Sequence, residues 1–148
     1  MQRIFLLVIA FNFSSILYGQ KFKQDFVSTD IDNFWAAYDK ILSTPDSMQQ
    51  LQYLRELYLD KGTEGLKSLV QVRRYSEEEF LHGINAYPAF WRSIRPNTLR
   101  VQSLSPEIET DIQKLKEAYP ELKPSTIYFS VGAYRTGGAV HGNKVLIG

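Results

Sequence analysis

The sequence predicts an α+β domain: a helix-rich amino-terminal layer followed by a small β-sheet. Three observations carry that expectation. Apolar residues recur at helical spacing from Asp30 to Tyr119. After Lys123-Pro124 the pattern changes to a β-branched and aromatic run, Thr126 to Val131, which suits a strand. With 148 residues, 44% of them hydrophobic, the chain is long enough for one packed core and too short for two.

The chain opens with an address. Met1-Gln2-Arg3 carries one positive charge, Ile4 to Phe11 is an uninterrupted apolar run, and Tyr18-Gly19-Gln20 precedes the charged part that begins at Lys21. That order is the order of a secretory signal peptide. Residues 1–20 therefore read as a removable signal, with cleavage after Gly19 or Gln20, and residues 21–148 as a single domain. The alternative is a retained anchor. It would need ~20 apolar residues, and Asn12, Ser14 and Ser15 interrupt this segment. Beyond the signal no segment is apolar enough to span a bilayer. The implied destination is export, to the periplasm or cell envelope of a Gram-negative bacterium.

Loss of Arg3 with the signal leaves 16 basic residues against 16 acidic ones. A neutral balance argues against nucleic acid as the partner. With no cysteine, the chain has no disulfide, no thiol nucleophile and no thiol to carry a lipid.

The helices follow in order. Thr29-Asp30 offers caps, and Ile31, Phe34, Trp35, Tyr38, Ile41 and Leu42 form one stripe. Thr44-Pro45 predicts the next start, with Thr44 as N-cap and Pro45 in the first helical position. Met48, Leu51, Leu54, Leu57 and Tyr58 line that helix, and Gly62 stops it. A shorter helix begins at Thr63-Glu64 and carries Leu66, Leu69 and Val70. Ser76 with Glu79 is a capping box, opening a helix with Phe80, Leu81, Ile84 and Tyr87 on its apolar side, which Pro88 ends or bends. Ser105-Pro106 repeats the cap-then-proline signal ahead of Ile108, Ile112, Leu115 and Tyr119. Ala86-Tyr87-Pro88 and Ala118-Tyr119-Pro120 read as two helix ends, each after a buried aromatic, because a residue before proline is disfavoured in the helical region. Trp35, Leu54, Ile84 and Ile112 are the expected core.

Two strands are expected, one from Thr126 to Val131 and one at Val145-Leu146-Ile147, joined as a hairpin by the glycine-rich stretch between them. A lone hairpin is marginal, so it must pack on the helices. The sequence stops one residue past an apolar strand, at Gly148. It accordingly reads as the front part of a longer protein, truncated at its carboxyl end.

Little in the sequence carries chemistry. A zinc peptidase needs two histidines one helical turn apart with a glutamate between them, and the two histidines here, His82 and His141, are far apart. His82 reads as an ordinary helix residue. His141 and Arg135, in the glycine-rich connection, are candidate loop-site residues, because loops carry function more often than helices do. There is no Gly-x-Ser-x-Gly elbow, and Thr136-Gly137-Gly138 lacks the Gly-Lys-Ser/Thr ending of a phosphate loop. Helix capping explains Glu77-Glu78-Glu79 better than a carboxylate site does. Trp35 and Trp91 read as core rather than as a sugar platform, and Arg92 and Arg95 as a solvated face rather than an anion site. No residue is assigned a catalytic or metal-binding role.

Several segments, taken in order, resemble a known family. They are Phe34-Trp35-Ala36-Ala37-Tyr38-Asp39, Tyr58 to Leu66, Phe90 to Thr98, Lys123 to Gly132, Arg135 to Gly138 and Val145 to Gly148. Together they resemble the amino-terminal half of exported bacterial proteins described as zinc-dependent proteases of unknown function, with the gliding-motility lipoprotein GldB as a distant relative. The resemblance implies a zincin-like architecture, incomplete in this chain: a helical front, then a sheet, then a helix bearing HExxH. In that plan two helix histidines hold zinc and the glutamate is the general base on the metal-bound water. None of those residues has a counterpart here, so zinc is expected only if the complete protein carries the motif. By the same analogy Val145, Leu146 and Ile147 would be the strand edge that holds a peptide substrate.

Two functions follow from this reading. The first is the front part of an exported zinc metallopeptidase-like protein, not catalytic as it stands. The alternative is a non-enzymatic envelope module that binds a peptide or an envelope protein. For the core, Trp35→Ala is expected to cost about 3–5 kcal/mol; denaturant unfolding of the two proteins measures it.

Overall fold

The structure is a computed structural model and describes residues 22, 24–135 and 137–148. The signal reading of residues 1–20 therefore lies outside the described residues, as does Thr136. A short strand, β1 (Asp25–Val27), leads into six helices: α1 (Thr29–Ile41), α2 (Ser47–Leu54), α3 (Glu64–Arg73), α4 (Glu77–Ala86), α5 (Pro88–Leu99) and α6 (Val101–Ala118). Three strands follow, β2 (Thr126–Phe129), β3 (Gly138–His141) and β4 (Lys144–Ile147). The class is α+β: six helices lie in sequence between β1 and the other three strands of a small four-stranded mixed sheet.

Local chemistry explains most helix starts. The Ser76 hydroxyl accepts from the Glu79 amide while the Glu79 carboxylate accepts from the Ser76 amide, which is the full capping box. Thr63 caps α3 by accepting from Gly65 and Leu66. The buried Asp30 carboxylate accepts the Thr63 amide at 2.9 Å and its hydroxyl as well, which ties the start of α1 to the start of α3. α2 differs from the sequence reading. Asp46, not Thr44, is its N-cap, accepting from Met48 at 2.9 Å and Gln49 at 3.4 Å. A carboxylate there answers the exposed amides and the helix dipole together. The Thr44 hydroxyl instead accepts from the Asp46 amide. Met48 is 73% exposed and is not on the buried side. α2 runs on into a π-helical turn, Arg55–Leu59, which brings Tyr58 fully inside.

Pro88 ends α4 and also stands at the first position of α5, a helix the sequence did not reveal. α6 begins at Val101 and passes through Pro106 rather than starting at Ser105. The carbonyl of Gln102, which proline deprives of its donor, lies on an exposed residue, so water can satisfy it. Tyr87 and Tyr119 both leave the helical region before proline, as expected, but both are exposed rather than buried. Ile112 is only partly buried, because α6 lies at the margin and buries no residue completely. Trp35, Leu54 and Ile84 are core.

The strand order is β1-β2-β4-β3. β1 and β4 flank β2 and run parallel to it, with Phe26 opposite Ile127 and Tyr128 opposite Leu146. β3 is antiparallel to β4, and Val140 faces Val145. The hairpin is therefore β3–β4, not β2–β4. Its two-residue turn, Gly142-Asn143, needs a positive φ at the first position, and Gly142 supplies it at 60°. β3 escaped the sequence reading because Gly138-Ala139-Val140-His141 has little strand propensity of its own.

The core sits between helices and sheet. Phe34 is wholly buried and its ring meets those of Trp35, Tyr38, Tyr58 and Trp91 at centroid distances of 5.1 to 6.1 Å. α3 approaches β2 closely because Gly65 lies over the Tyr128 ring, where an added Cβ would come within 2.2 Å. The Tyr58 hydroxyl donates to the Val131 carbonyl at 2.6 Å and accepts from the Val131 amide at 2.9 Å. Removing that oxygen leaves a buried donor and acceptor unmet. Tyr58→Phe is expected to destabilise the protein by about 1–3 kcal/mol, read from the shift of the denaturant midpoint at constant slope.

Candidate functional site

A groove of about 670 Å³ opens at the carboxyl ends of the parallel strands β2 and β4. In sheets with parallel strands this is the end where ligands are usually held. Its walls come from α5 (Phe90, Trp91, Ile94), the first residue of α6 (Val101), the ends of β2 and β4 (Phe129, Ile147) and the segment Ser130–Arg135. α5 faces the groove because of its own spacing: Trp91 and Ile94 lie one turn apart, and Pro88 fixes where the helix begins.

Trp91 is 2% exposed and its indole N–H donates to the Gly83 carbonyl at 2.8 Å, so the ring borders the groove in one fixed orientation. Tyr134 has φ of 58°, a left-handed conformation that a bulky residue adopts only when its surroundings hold it there. Three neighbours hold it. Its ring stacks on Tyr87 at 4.3 Å, meets Phe90 edge-on at 4.6 Å, and its Cβ lies over Gly83, where any Cβ would sit 3.3 Å away. Tyr134 remains 44% exposed.

The residues singled out from the sequence fall in different places. Arg135 borders the groove, but its guanidinium is committed: it pairs with Glu79 at 2.8 Å, donates to the Arg73 carbonyl and lies 5.1 Å over the Tyr75 ring. Arg73 in turn donates to the Gly138 carbonyl. These bonds brace the segment between β2 and β3 against α3 and α4. Burial pushes the Tyr75 phenol up, with Arg135 and Arg73 opposing. His141 lies in β3, exposed, opposite Lys144, and does not border the groove. It belongs to a strand rather than a loop.

Val145, Leu146 and Ile147 do not form an edge. β4 lies between β2 and β3, so both its sides are paired. Leu146 is core and Ile147 borders the groove. The outer strand on that side of the sheet is β3, which pairs with β4, with Val140 71% exposed and the Gly138 carbonyl accepting from Arg73. Arg95 is not merely solvated: it grips Asp39 through two bonds of 2.7 Å and lies 4.9 Å over the Trp35 ring, and the bond holds the Asp39 carboxyl below its ordinary range.

Phe90, Gly83 and Tyr134 were not foreseen as site residues. A positive φ at tyrosine leaves no mark in sequence, and Phe90 sits in the helix that was missed.

Among the described residues no three histidine, aspartate or glutamate side chains gather as a metal site. Nor, among them, is any helix long and apolar enough to cross a membrane. Comparison with protein-family models, with curated proteins and with solved structures finds no match to this chain. The groove is an apolar cleft with aromatic walls and a braced backbone.

The brace can be tested separately from the fold. Arg135→Met is expected to cost less than about 1 kcal/mol, since the ion pair is half exposed. It should nevertheless speed amide exchange from Gly132 to Arg135, measured by hydrogen–deuterium exchange.

Proposed function

We propose that this chain is the polypeptide-binding front part of an exported zinc metallopeptidase-like protein. The observation that carries the reading is the arrangement at the sheet: a parallel β2–β4 pair flanked by an antiparallel outer strand, β3, beside a groove at the strand ends. An outer strand offers backbone donors and acceptors to an extended chain, and neighbouring pockets then sort its side chains. The order of the family-like segments and the helices ahead of β2, β3 and β4 support the same plan. The peptide edge moves from β4 to β3 in this reading. No group of three candidate metal ligands lies among the described residues, so no hydrolytic step is assigned to them.

The second reading, a non-enzymatic envelope module, uses the same strand and groove. The neutral charge favours it, since partner choice would then rest on shape and apolar contact rather than on bulk charge.

The two readings part at one place. The reading frame of the source gene is expected to encode HExxH downstream of codon 148, and the complete protein to bind zinc and hydrolyse unfolded casein in a chelator-sensitive way. A stop codon immediately after codon 148, or a complete protein that binds peptide without zinc, would overturn the peptidase reading in favour of the binding module.

A further inference from the structure

We infer that Tyr87 and Tyr134 form an oxidative cross-linking site. A one-electron oxidant joins the two rings as dityrosine and so staples the segment after β2 to the junction of α4 and α5.

Exposure and contact select the pair. Among the described residues three tyrosines are exposed, Tyr87 at 41%, Tyr119 at 52% and Tyr134 at 44%. The other described tyrosines are buried or half-buried, so an oxidant in solution reaches these three first. Tyr119 stands apart, at the end of α6. Tyr87 and Tyr134 lie on each other, with ring centres 4.3 Å apart and 27° from parallel.

Both partners are held in place by the fold. Tyr87 is the C-cap of α4 and the N-cap of α5, and Pro88 restricts its backbone. Tyr134 is fixed in its left-handed conformation, with the Phe90 ring edge-on at 4.6 Å and Gly83 beneath its Cβ. Neither ring has to search for the other. Groups held together react as though each were present at a very high local concentration. The bond joins ring edges, so the rings must turn out of their stack, and their exposure leaves room for that turn.

The bond formed is carbon to carbon. Each phenol gives one electron to the oxidant and its hydroxyl proton to water. The two phenoxyl radicals couple through one carbon ortho to each oxygen. The two ortho hydrogens then move to the oxygens and restore both phenols, so the chain has lost two hydrogens. The co-reactant is hydrogen peroxide used through a haem peroxidase. It takes up the two electrons and two protons and leaves as two molecules of water.

The consequence is structural. The bond closes a covalent loop from Tyr87 to Tyr134. It fastens the strained residue itself, next to Arg135, whose ion pair with Glu79 is half exposed.

The test treats the full chain, in dilute solution, with hydrogen peroxide and a haem peroxidase. The products are separated by size, digested and read by mass spectrometry. The expected product is a monomer lighter by two hydrogens, with Tyr87 joined to Tyr134. Tyr87→Phe and Tyr134→Phe keep a ring in the stack and remove one phenol. Each is expected to lower the yield of cross-linked monomer by about tenfold or more, because the remaining phenol has lost its held partner. Tyr119→Phe should leave that yield unchanged. In the cross-linked chain, amide exchange from Gly132 to Arg135 is expected to slow by about tenfold, since local opening is now restrained by a covalent loop. Dityrosine found only between chains, a cross-linked monomer that survives either phenylalanine variant at full yield, or no dityrosine at all would overturn the site. A Tyr87–Tyr134 bond that leaves exchange unchanged would overturn the staple.

Discussion

The Tyr58 hydroxyl lies buried between the helical layer and the segment that leaves β2, and it satisfies both the amide and the carbonyl of Val131. The π-helical turn from Arg55 to Leu59 delivers it there, and Phe34 and Phe80 pack edge-on against its ring at 5.3 and 5.9 Å. Burial pushes the phenol well above its usual range, so it stays a neutral donor at any physiological pH. One side chain from the helices thus fixes the exact residue at which β2 ends its pairing. Everything around the groove depends on that fixed point.

From Val131 the chain turns past Gly132 and Ala133 into the left-handed Tyr134, and Arg135 fastens it to α3 and α4. The cost of the tyrosine's conformation is offset locally by stacking on Tyr87 and Phe90, while Gly83 leaves the space that its Cβ requires. The same geometry keeps the wall of the groove aromatic and holds the Trp91 indole and the Arg135 guanidinium in place. A rigid strand end, a braced segment and an apolar cleft are what a binding site needs if it is to be formed before its ligand arrives. They do not by themselves supply an acid, a base or a nucleophile, and the proposed role accordingly stops at binding.

Much of the helical layer was legible in the sequence, because its helices begin at chemistry that acts locally. Ser76 with Glu79 and Thr63 with Glu64 declare their helices within four residues, and Trp35, Leu54 and Ile84 declare their burial by spacing. The failures are equally physical. Asp46 outcompeted Thr44 as a cap because its carboxylate is the stronger acceptor. α5 was hidden by Pro88, read only as the end or bend of α4, and by Arg92 and Arg95, read as a solvated face. α6 tolerated Pro106 because an exposed carbonyl can turn to water. β3 exists only because β4 pairs with it, a long-range cause that no local pattern carries. β1 was not expected either, but it is the missing β3 that led Val145, Leu146 and Ile147 to be read as an edge when they lie inside the sheet. At the site, Arg135 and Ile147 were found but given other roles. Tyr134, the residue on which the groove's shape most depends, was not found at all.

The central claim is that an extended polypeptide adds to β3 at the mouth of the groove. Hydrogen–deuterium exchange of the chain with and without the reduced, unfolded form of a small test protein tests it most directly. Slower exchange at Val140, whose amide faces away from β4, and at the residues around Tyr134 is the predicted result. Protection elsewhere, for example along α6 with β3 unchanged, would contradict the account.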